Sequence, residues 1–423
     1  MKTEGIVRFD HTEKLVIADN LQAVKPMYGK ASISDVPSII SRTLGLKITG
    51  NKSPIAGKDF PHVDRLIFFF LDGFGTSTVR WALEKFSLPH TQEFIGKADL
   101  DVITSTFPST TSTATISCHS GLTPGEHGVI GYTQYLSSIG TVCNMINMSP
   151  LGLKGRSISD HVFNSNQDLI GNTIHSSLTK DGVKSFYYSP RAISKSGLTK
   201  ITTGSAIIRP YLSHSHLFTL LKSDFEREKG QSFHFCYIPT VDTISHKVGP
   251  YTEETANEIE SIFHMILEFS KNLSKANTGI LISADHGHTV VPRENIRDIA
   301  GDTKLRNNMI CPAVGDLRAP FLHLRKDTMG ESVEHILENF NGFAPINFKD
   351  AVKKGLIGPC DLRKLRFGSG EDIVIMPPDG TAIFDSTLST LDPDSSEIDM
   401  IGMHGGLSRE EMEIPLISYF RNR

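Results

Sequence analysis

The run LIFFFL at 66–71, closed by Asp72 and Gly73, most narrows what this chain can become. Six consecutive apolar residues leave no polar face, so the segment reads as a strand covered on both sides and not as the alternating strand of a half-solvated sheet. A carboxylate placed directly after such a strand lies at its C-terminal edge, where open α/β sheets hold their ligands. A second apolar strand over 278–283 delivers Asp285 and His286 in the same way, and a third over 232–238 leads through Pro239 toward Asp242.

Between these runs the pattern alternates with helices. Residues 77–85, 211–227 and 253–273 read as helical, the last carrying Ile259, Ile262, Phe263, Ile266 and Leu267 at helical period, and 100–104 reads as a further strand. The expected class is α/β, with a mostly parallel central sheet flanked by helices. Residues 1–64 form a lead-in with a helix over 36–44 and a Gly/Pro/Lys-rich stretch running to Pro61. Over 131–200 the pattern loosens and only 184–188 is strand-like; this segment is expected to pass over the site, with Tyr132, Tyr135, Tyr187 and Tyr188 either stacking on a substrate or filling the core. Residues 292–396 carry a small α+β series, with strands at 319–324 and 372–376, helices at 332–340 and 348–354, and a Pro/Asp/Ser-rich return loop over 377–399. The expected organisation is a core of 65–291 and 397–423, closed by a last strand at 415–420, with 292–396 inserted as a cap.

The stretch 103–131, ITSTFPSTTSTATISCHSGLTPGEHGVIG, starts at a strand end and leads into a helix, so it can hold a Thr at a helix N-terminus. Free backbone N–H groups and the positive end of the dipole favour a phosphate-like anion there. Hydroxyl-rich runs also make ordinary caps and loops, so the stretch does not decide its own role. Asp242 and His246, four residues apart, share one face if helical and can reach one ion. His404 sits in MHGGLS, where two glycines let the backbone pass close to a site. Each of these alone is as well explained by a salt bridge or a buried polar pair.

Taken in order, Asp72-Gly73, the PSTT run, Asp242 to His246, Asp285-His286-Gly287 and His404-Gly405 resemble the alkaline phosphatase superfamily, and within it the type I phosphodiesterase/nucleotide pyrophosphatase family. The resemblance spans about 66 to 407. It implies one metal held by Asp72, Asp285 and His286 together with a nucleophilic Thr, and a second held by Asp242, His246 and His404. Thr111, three residues after Pro108 and ten before Gly121, has the spacing found in the related phosphonoacetate hydrolases; Thr110 is the adjacent alternative. Many relatives place an Asn just after the nucleophile to hold a phosphoryl oxygen, whereas Ser112, Thr113 and Ala114 follow here. His288 is a candidate for orienting a ligand or a plain buried His.

The implied function is a two-metal hydrolase of phosphodiester or nucleotide pyrophosphate bonds acting through a phospho-threonine. A phosphomonoesterase or phosphonate hydrolase of the same superfamily is the alternative, and a metal-stabilised protein without turnover is the non-enzymatic one. Carboxylate and imidazole ligands without thiolate fit two divalent ions, Zn²⁺ foremost and Mn²⁺ after it. A sulfatase is excluded by the lack of a Cys or Ser in a C/S-x-P-x-R context. Hydrophobic residues at 39%, charged residues at 21% and a net charge of −4 give no basic surface for a nucleic-acid scaffold, which leaves a small phosphate ester or nucleotide as partner. No run approaches the ~20 apolar residues of a membrane span, and the five scattered cysteines read as reduced thiols, so a cytoplasmic protein off the membrane is expected. Oligomeric state is unread.

Overall fold

An eight-stranded sheet centres the computed structural model, which describes residues 7–18, 21–46, 55, 58–153, 172–273, 277–360, 371–391 and 397–421. In spatial order its strands are Val7–Asp10, Asp99–Thr104, Glu413–Phe420, Thr278–Ser283, Arg65–Leu71, Ser232–Ile238, Lys184–Pro190 and Ile207–Tyr211. Neighbours are parallel throughout except at Glu413–Phe420, which runs antiparallel to both strands beside it. The mostly parallel α/β sheet expected from the apolar runs is the one observed.

The strand Arg65–Leu71 lies at the middle, with Phe68 level with Phe235 on one side and Leu281 on the other. Phe68, Phe69 and Phe70 are wholly buried, and their burial contributes roughly 1.5–3 kcal/mol apiece. On one face the helix Glu253–Lys271 buries Ile259, Ile262, Phe263, Ile266 and Leu267, the stripe read from the sequence. Strand-to-helix connections bring the C-terminal ends of Arg65–Leu71, Asp99–Thr104, Ser232–Ile238 and Thr278–Ser283 to one edge, so each delivers its next polar residues to the same place.

A second sheet of seven antiparallel strands covers that edge. Its order is Ala344–Asn347, Asp372–Met376, Ala319–His323, Val314–Asp316, Thr133–Leu136, Thr141–Asn144 and Ser149–Pro150. It therefore combines strands from 292–396 with a small meander from 133–150. The meander went unread because its strands are four residues or shorter, too short for a period of two to register. Two further differences follow from the same limit. Ile207–Tyr211 is a strand preceding the helix His214–Arg227, where 211–227 reads as helix alone. Val7–Asp10 joins the edge of the main sheet through Asp99–Thr104, so the lead-in is part of the core architecture. Of the Gly/Pro/Lys-rich stretch, 47–54, 56 and 57 lie outside the described residues, as do 392–396 of the return loop. Among the described residues no helix is long and apolar enough to cross a membrane.

Candidate active site

The helix Thr111–Ser120 starts at the sheet edge with Thr110 as its N-cap and Gly121 ending it in a left-handed turn. The two candidate hydroxyls part company here. Thr110 is buried and donates to Asp316 Oδ1 at 2.7 Å. Thr111, in the first turn, turns toward a cavity of about 430 Å³ and lies 3.3 Å from His286 Nε2. Thr110 occupies the N-cap position, but its hydroxyl is spent on a buried carboxylate and bonds no first-turn N–H; a hydroxyl facing open volume beside imidazole is placed for chemistry.

Two clusters of metal-ligating side chains meet beside Thr111. Asp72, Asp285 and His286 form the first, all buried, with His286 Nε2 3.5 Å from Asp72 Oδ1 and 3.3 Å from Asp285 Oδ2. Asp242, His246, His288 and His404 form the second, with Asp242 Oδ1 at 3.0, 3.0 and 3.9 Å from the Nε2 atoms of His246, His288 and His404. The rings of His286 and His404 stack with centroids 3.7 Å apart, so the clusters share a boundary. The six carboxylate and imidazole residues that the sequence nominated for the metals fall into these two groups, and Thr111, nominated with them, lies beside the first at His286.

Hydrogen bonding on the far side of each imidazole fixes what the near side can be. Nδ1 of His246 lies 2.7 Å from the Gly402 carbonyl, Nδ1 of His404 3.1 Å from the Ser109 carbonyl, and Nδ1 of His286 3.2 Å from the Gly287 carbonyl. Carbonyls only accept, so each Nδ1 carries the proton and each Nε2 presents a lone pair to the carboxylates. Lone pairs facing carboxylate oxygens repel unless a cation sits between them. His288 differs: its Nδ1 has no hydrogen-bond partner, and its Nε2–H donates to Asp242 at 3.0 Å. That geometry makes it an orienting group for Asp242.

The carboxylates carry the same message. Asp72 Oδ1 and Asp285 Oδ2 are buried without a hydrogen-bond partner. Burial, and then the facing charges of Asp285 and Asp242, push the Asp72 carboxyl well above its ordinary range. Unneutralised acids at this spacing are costly, and divalent cations relieve both the desolvation and the repulsion. The donor set of carboxylate oxygens and imidazole nitrogens therefore fits two divalent ions.

Close backbone approaches explain the glycines. Gly73 has φ of 71°, and a side chain there would fall 2.5 Å from His288 Cε1 and 2.8 Å from Asp242 Cα. Gly405, at φ of 117°, leaves the space that Asp316 Cβ fills at 2.6 Å. The segment carrying His404 is tied to the nucleophile turn by Ser109, whose N–H donates to the Gly405 carbonyl and whose hydroxyl bonds the Gly406 carbonyl.

Two residues at the site escaped the sequence reading. Tyr237, the penultimate residue of Ser232–Ile238, donates its hydroxyl to Asp72 Oδ2 and lines the cavity. Its position at a strand end was a usable signal. Asp316 ends the three-residue strand Val314–Asp316 of the second sheet, lines the cavity, and also accepts the Tyr132 N–H at 3.2 Å; nothing in GDLR announced it. Burial pushes its carboxyl up to about 6, against the pull of the Thr110 and Tyr132 hydrogen bonds. Of the four tyrosines considered for stacking, only Tyr132 lines the cavity. Tyr187 and Tyr188 are buried in the main core, Tyr188 bonded to Asp224 and His234, and Tyr135 packs near His323. Arg191 is exposed and does not line the cavity.

A family profile described as type I phosphodiesterase / nucleotide pyrophosphatase matches residues 66–407. Murine ectonucleotide pyrophosphatase/phosphodiesterase 5 has a similar structure, with a TM-score of 0.62 at 14% identity over 84% of this chain and 87% of that one. An inactive form of the murine protein in complex with AMP gives 0.62 at 15% identity, with the same coverage. Phosphonoacetate hydrolase from Sinorhizobium meliloti 1021, in complex with phosphonoacetate, gives 0.61 at 15% identity over 86% of this chain and 91% of that one. No curated protein matches by sequence. At these identities the solved structures speak for an alkaline-phosphatase-like fold.

Proposed function

The chain belongs to the type I phosphodiesterase / nucleotide pyrophosphatase family, and from that premise we propose that it hydrolyses phosphodiester or nucleotide pyrophosphate bonds with Thr111 as the nucleophile. The observation that carries this reading is the pairing of Thr111, at a helix N-terminus, with two clusters whose lone pairs and bare carboxylates call for cations. Asp72, Asp285 and His286, with Thr111, would hold one divalent ion, and Asp242, His246 and His404 the other, Zn²⁺ being the best match to the donors. Such ions supply charge neutralisation of the non-bridging oxygens, a lowered hydroxyl pKa and stabilisation of the leaving oxygen.

In this reading the Thr111 oxygen attacks phosphorus in line as its hydroxyl proton passes to solvent. The bond to the leaving oxygen breaks, so that the alcohol or phosphate departs, taking a proton from solvent where it needs one, and a phospho-threonine remains. The first-turn backbone N–H groups of Thr111–Ser120 lie at the positive end of that helix and favour the phosphoryl oxygens. Tyr237 holds Asp72 through its hydroxyl, and His288 holds Asp242. Water then attacks the phospho-threonine and restores the hydroxyl.

Diesters are favoured over monoesters because a dianionic phosphate wants an added cation. Among the described residues no Arg or Lys lines the cavity, which also disfavours a carboxylated phosphonate as substrate. We further place the protein in the cytosol, on the support of cysteines scattered along the sequence with no C-x-x-C pair, three of them, Cys118, Cys143 and Cys236, buried. Metal-loaded protein assayed on bis-p-nitrophenyl phosphate, p-nitrophenyl phosphate, a phosphonate and a dinucleotide tests the reading. A tenfold monoester preference, about 1.4 kcal/mol of transition-state binding, would reverse it.

A further inference from the structure

Asp316 carries a charge that the hydrolysis above does not use. Its carboxylate forms part of the cavity wall with Thr111, Tyr132 and Leu317. Its two hydrogen-bond donors, the Thr110 hydroxyl and the Tyr132 N–H, are neutral, and a carboxylate retains further acceptor positions beyond these two. Arg318, two residues on, does not answer it: that guanidinium forks onto Glu411 at 3.2 and 3.0 Å and donates to the Pro378 and Thr381 carbonyls at 2.6 Å each. The titratable groups that face Asp316 are Glu411, of its own sign, and the His286 imidazole of the first cluster. Asp72, Asp242, His246 and His404 of the two clusters also line the cavity, and away from them its wall is largely apolar, with Ile146, Ile193, Leu317, Met400 and Met403. A fixed negative charge in a low-dielectric wall acts strongly on whatever fills the space before it.

We propose that Asp316 is a charge filter, selecting phosphodiesters whose second arm is uncharged or cationic and disfavouring substrates that bring a further negative charge. The extra charge is refused whether it sits on the arm or is the second charge of a phosphomonoester. This rests on the diester half of the reading, adds to it the kind of arm the cavity accepts, and ranks nucleotide pyrophosphates, whose second arm carries phosphate charge, below simple diesters. Specificity of this sort needs a repulsive element as well as an attractive one, and Asp316 supplies it where the apolar wall alone would discriminate weakly.

The test uses p-nitrophenyl phosphodiesters of similar bulk bearing a choline, a 3,3-dimethylbutyl or a 3-carboxypropyl arm. In the metal-loaded wild type, kcat/KM for the choline and dimethylbutyl arms should exceed that for the carboxypropyl arm by about tenfold or more, mainly through KM. Asp316→Asn and Asp316→Ser should each compress that spread to about threefold. Thr110→Val removes the same hydrogen bond but keeps the carboxylate, so it should lower kcat for all arms alike and preserve the spread. Equal handling of the arms by the wild type, or a spread that survives both Asp316 variants, overturns the proposal. Should neither variant fold, calorimetric binding of choline and of 4-hydroxybutyrate to wild-type protein decides, since choline binding no tighter than the carboxylate is incompatible with the filter. If the wild type cleaves no diester, the hydrolytic reading fails by itself, and the same binding comparison still judges Asp316.

Discussion

Thr110 gives its hydroxyl hydrogen to Asp316 Oδ1 at 2.7 Å, and that bond separates two adjacent threonines into a hydroxyl already spent and a candidate nucleophile. It joins the first residue before the helix Thr111–Ser120 to the end of the strand Val314–Asp316 in the second sheet. The orientation of Thr111 is therefore set by a contact between layers as well as by its own helix.

Thr111→Ala should lower kcat/KM on a diester by at least about a thousandfold while leaving the thermal midpoint nearly unchanged. Thr110→Val should cost activity about tenfold and stability about 1 kcal/mol, because it leaves a buried carboxylate oxygen short of a donor. Mass spectrometry of acid-quenched enzyme would find phosphate on the peptide carrying Thr111. The opposite ranking of the two variants would transfer the role to Thr110.

Metal content should divide between the clusters. Asp242→Ala and Asp72→Ala should each lower the bound divalent ion by about one per chain, since the two sets of donors are separate. Elemental analysis of fully active wild-type protein showing a single ion would end the two-site assignment.

Tyr237→Phe deletes the hydroxyl that holds Asp72 and little else. Loss of such a supporting group weakens metal binding by about 10- to 100-fold. A competitive chelator titration should show this loss for one ion and not for the other. Equal affinity in the variant would reduce Tyr237 to a packing residue.

Acid should destabilise the fold through histidines remote from the metals. Burial holds His127, His175 and His234 down to about 3. In the unfolded chain a histidine titrates near pH 6.5, so below that pH the unfolded state binds protons that the native state refuses. Their stabilisation is whole above about pH 6.5 and is lost as pH falls toward 3, by up to about 1.4 kcal/mol per pH unit for each histidine. Chemical denaturation between pH 7 and 5 should give this slope, and His175→Phe should reduce it by about one proton; a flat profile would count against neutral burial.

How much could be read beforehand follows from what each residue is attached to. Asp72, Asp242 and Asp285 follow apolar strands whose six or seven residues fix both the strand and its outgoing edge, so their convergence was legible. His404 was legible only through the resemblance, because its own surroundings, a two-residue strand and a glycine pair, carry no period. The choice between Thr110 and Thr111 rested on spacing and is separated in space by a partner about two hundred residues away. The meander over 133–150 was illegible because its strands are short, and Asp316 because its three-residue strand meets the meander only through a long-range pairing, Gly315 with Thr133. Tyr187 and Tyr188 face the core because both faces of Lys184–Pro190 are covered, Tyr187 by His119 and His175 and Tyr188 by Asp224 of the helix His214–Arg227.

The antiparallel strand Glu413–Phe420 lies between Asp99–Thr104, which leads to Thr111, and Thr278–Ser283, which leads to Asp285. Those two strands never touch each other in the sheet. In the sheet, the strand that leads to Thr111 and the strand that leads to Asp285 are thus joined only through a segment more than a hundred residues downstream of both. The spacing of the candidate site therefore depends on how Glu413–Phe420 is seated: a substitution that shifts this strand moves Asp99–Thr104 against Thr278–Ser283 without touching any residue of the site.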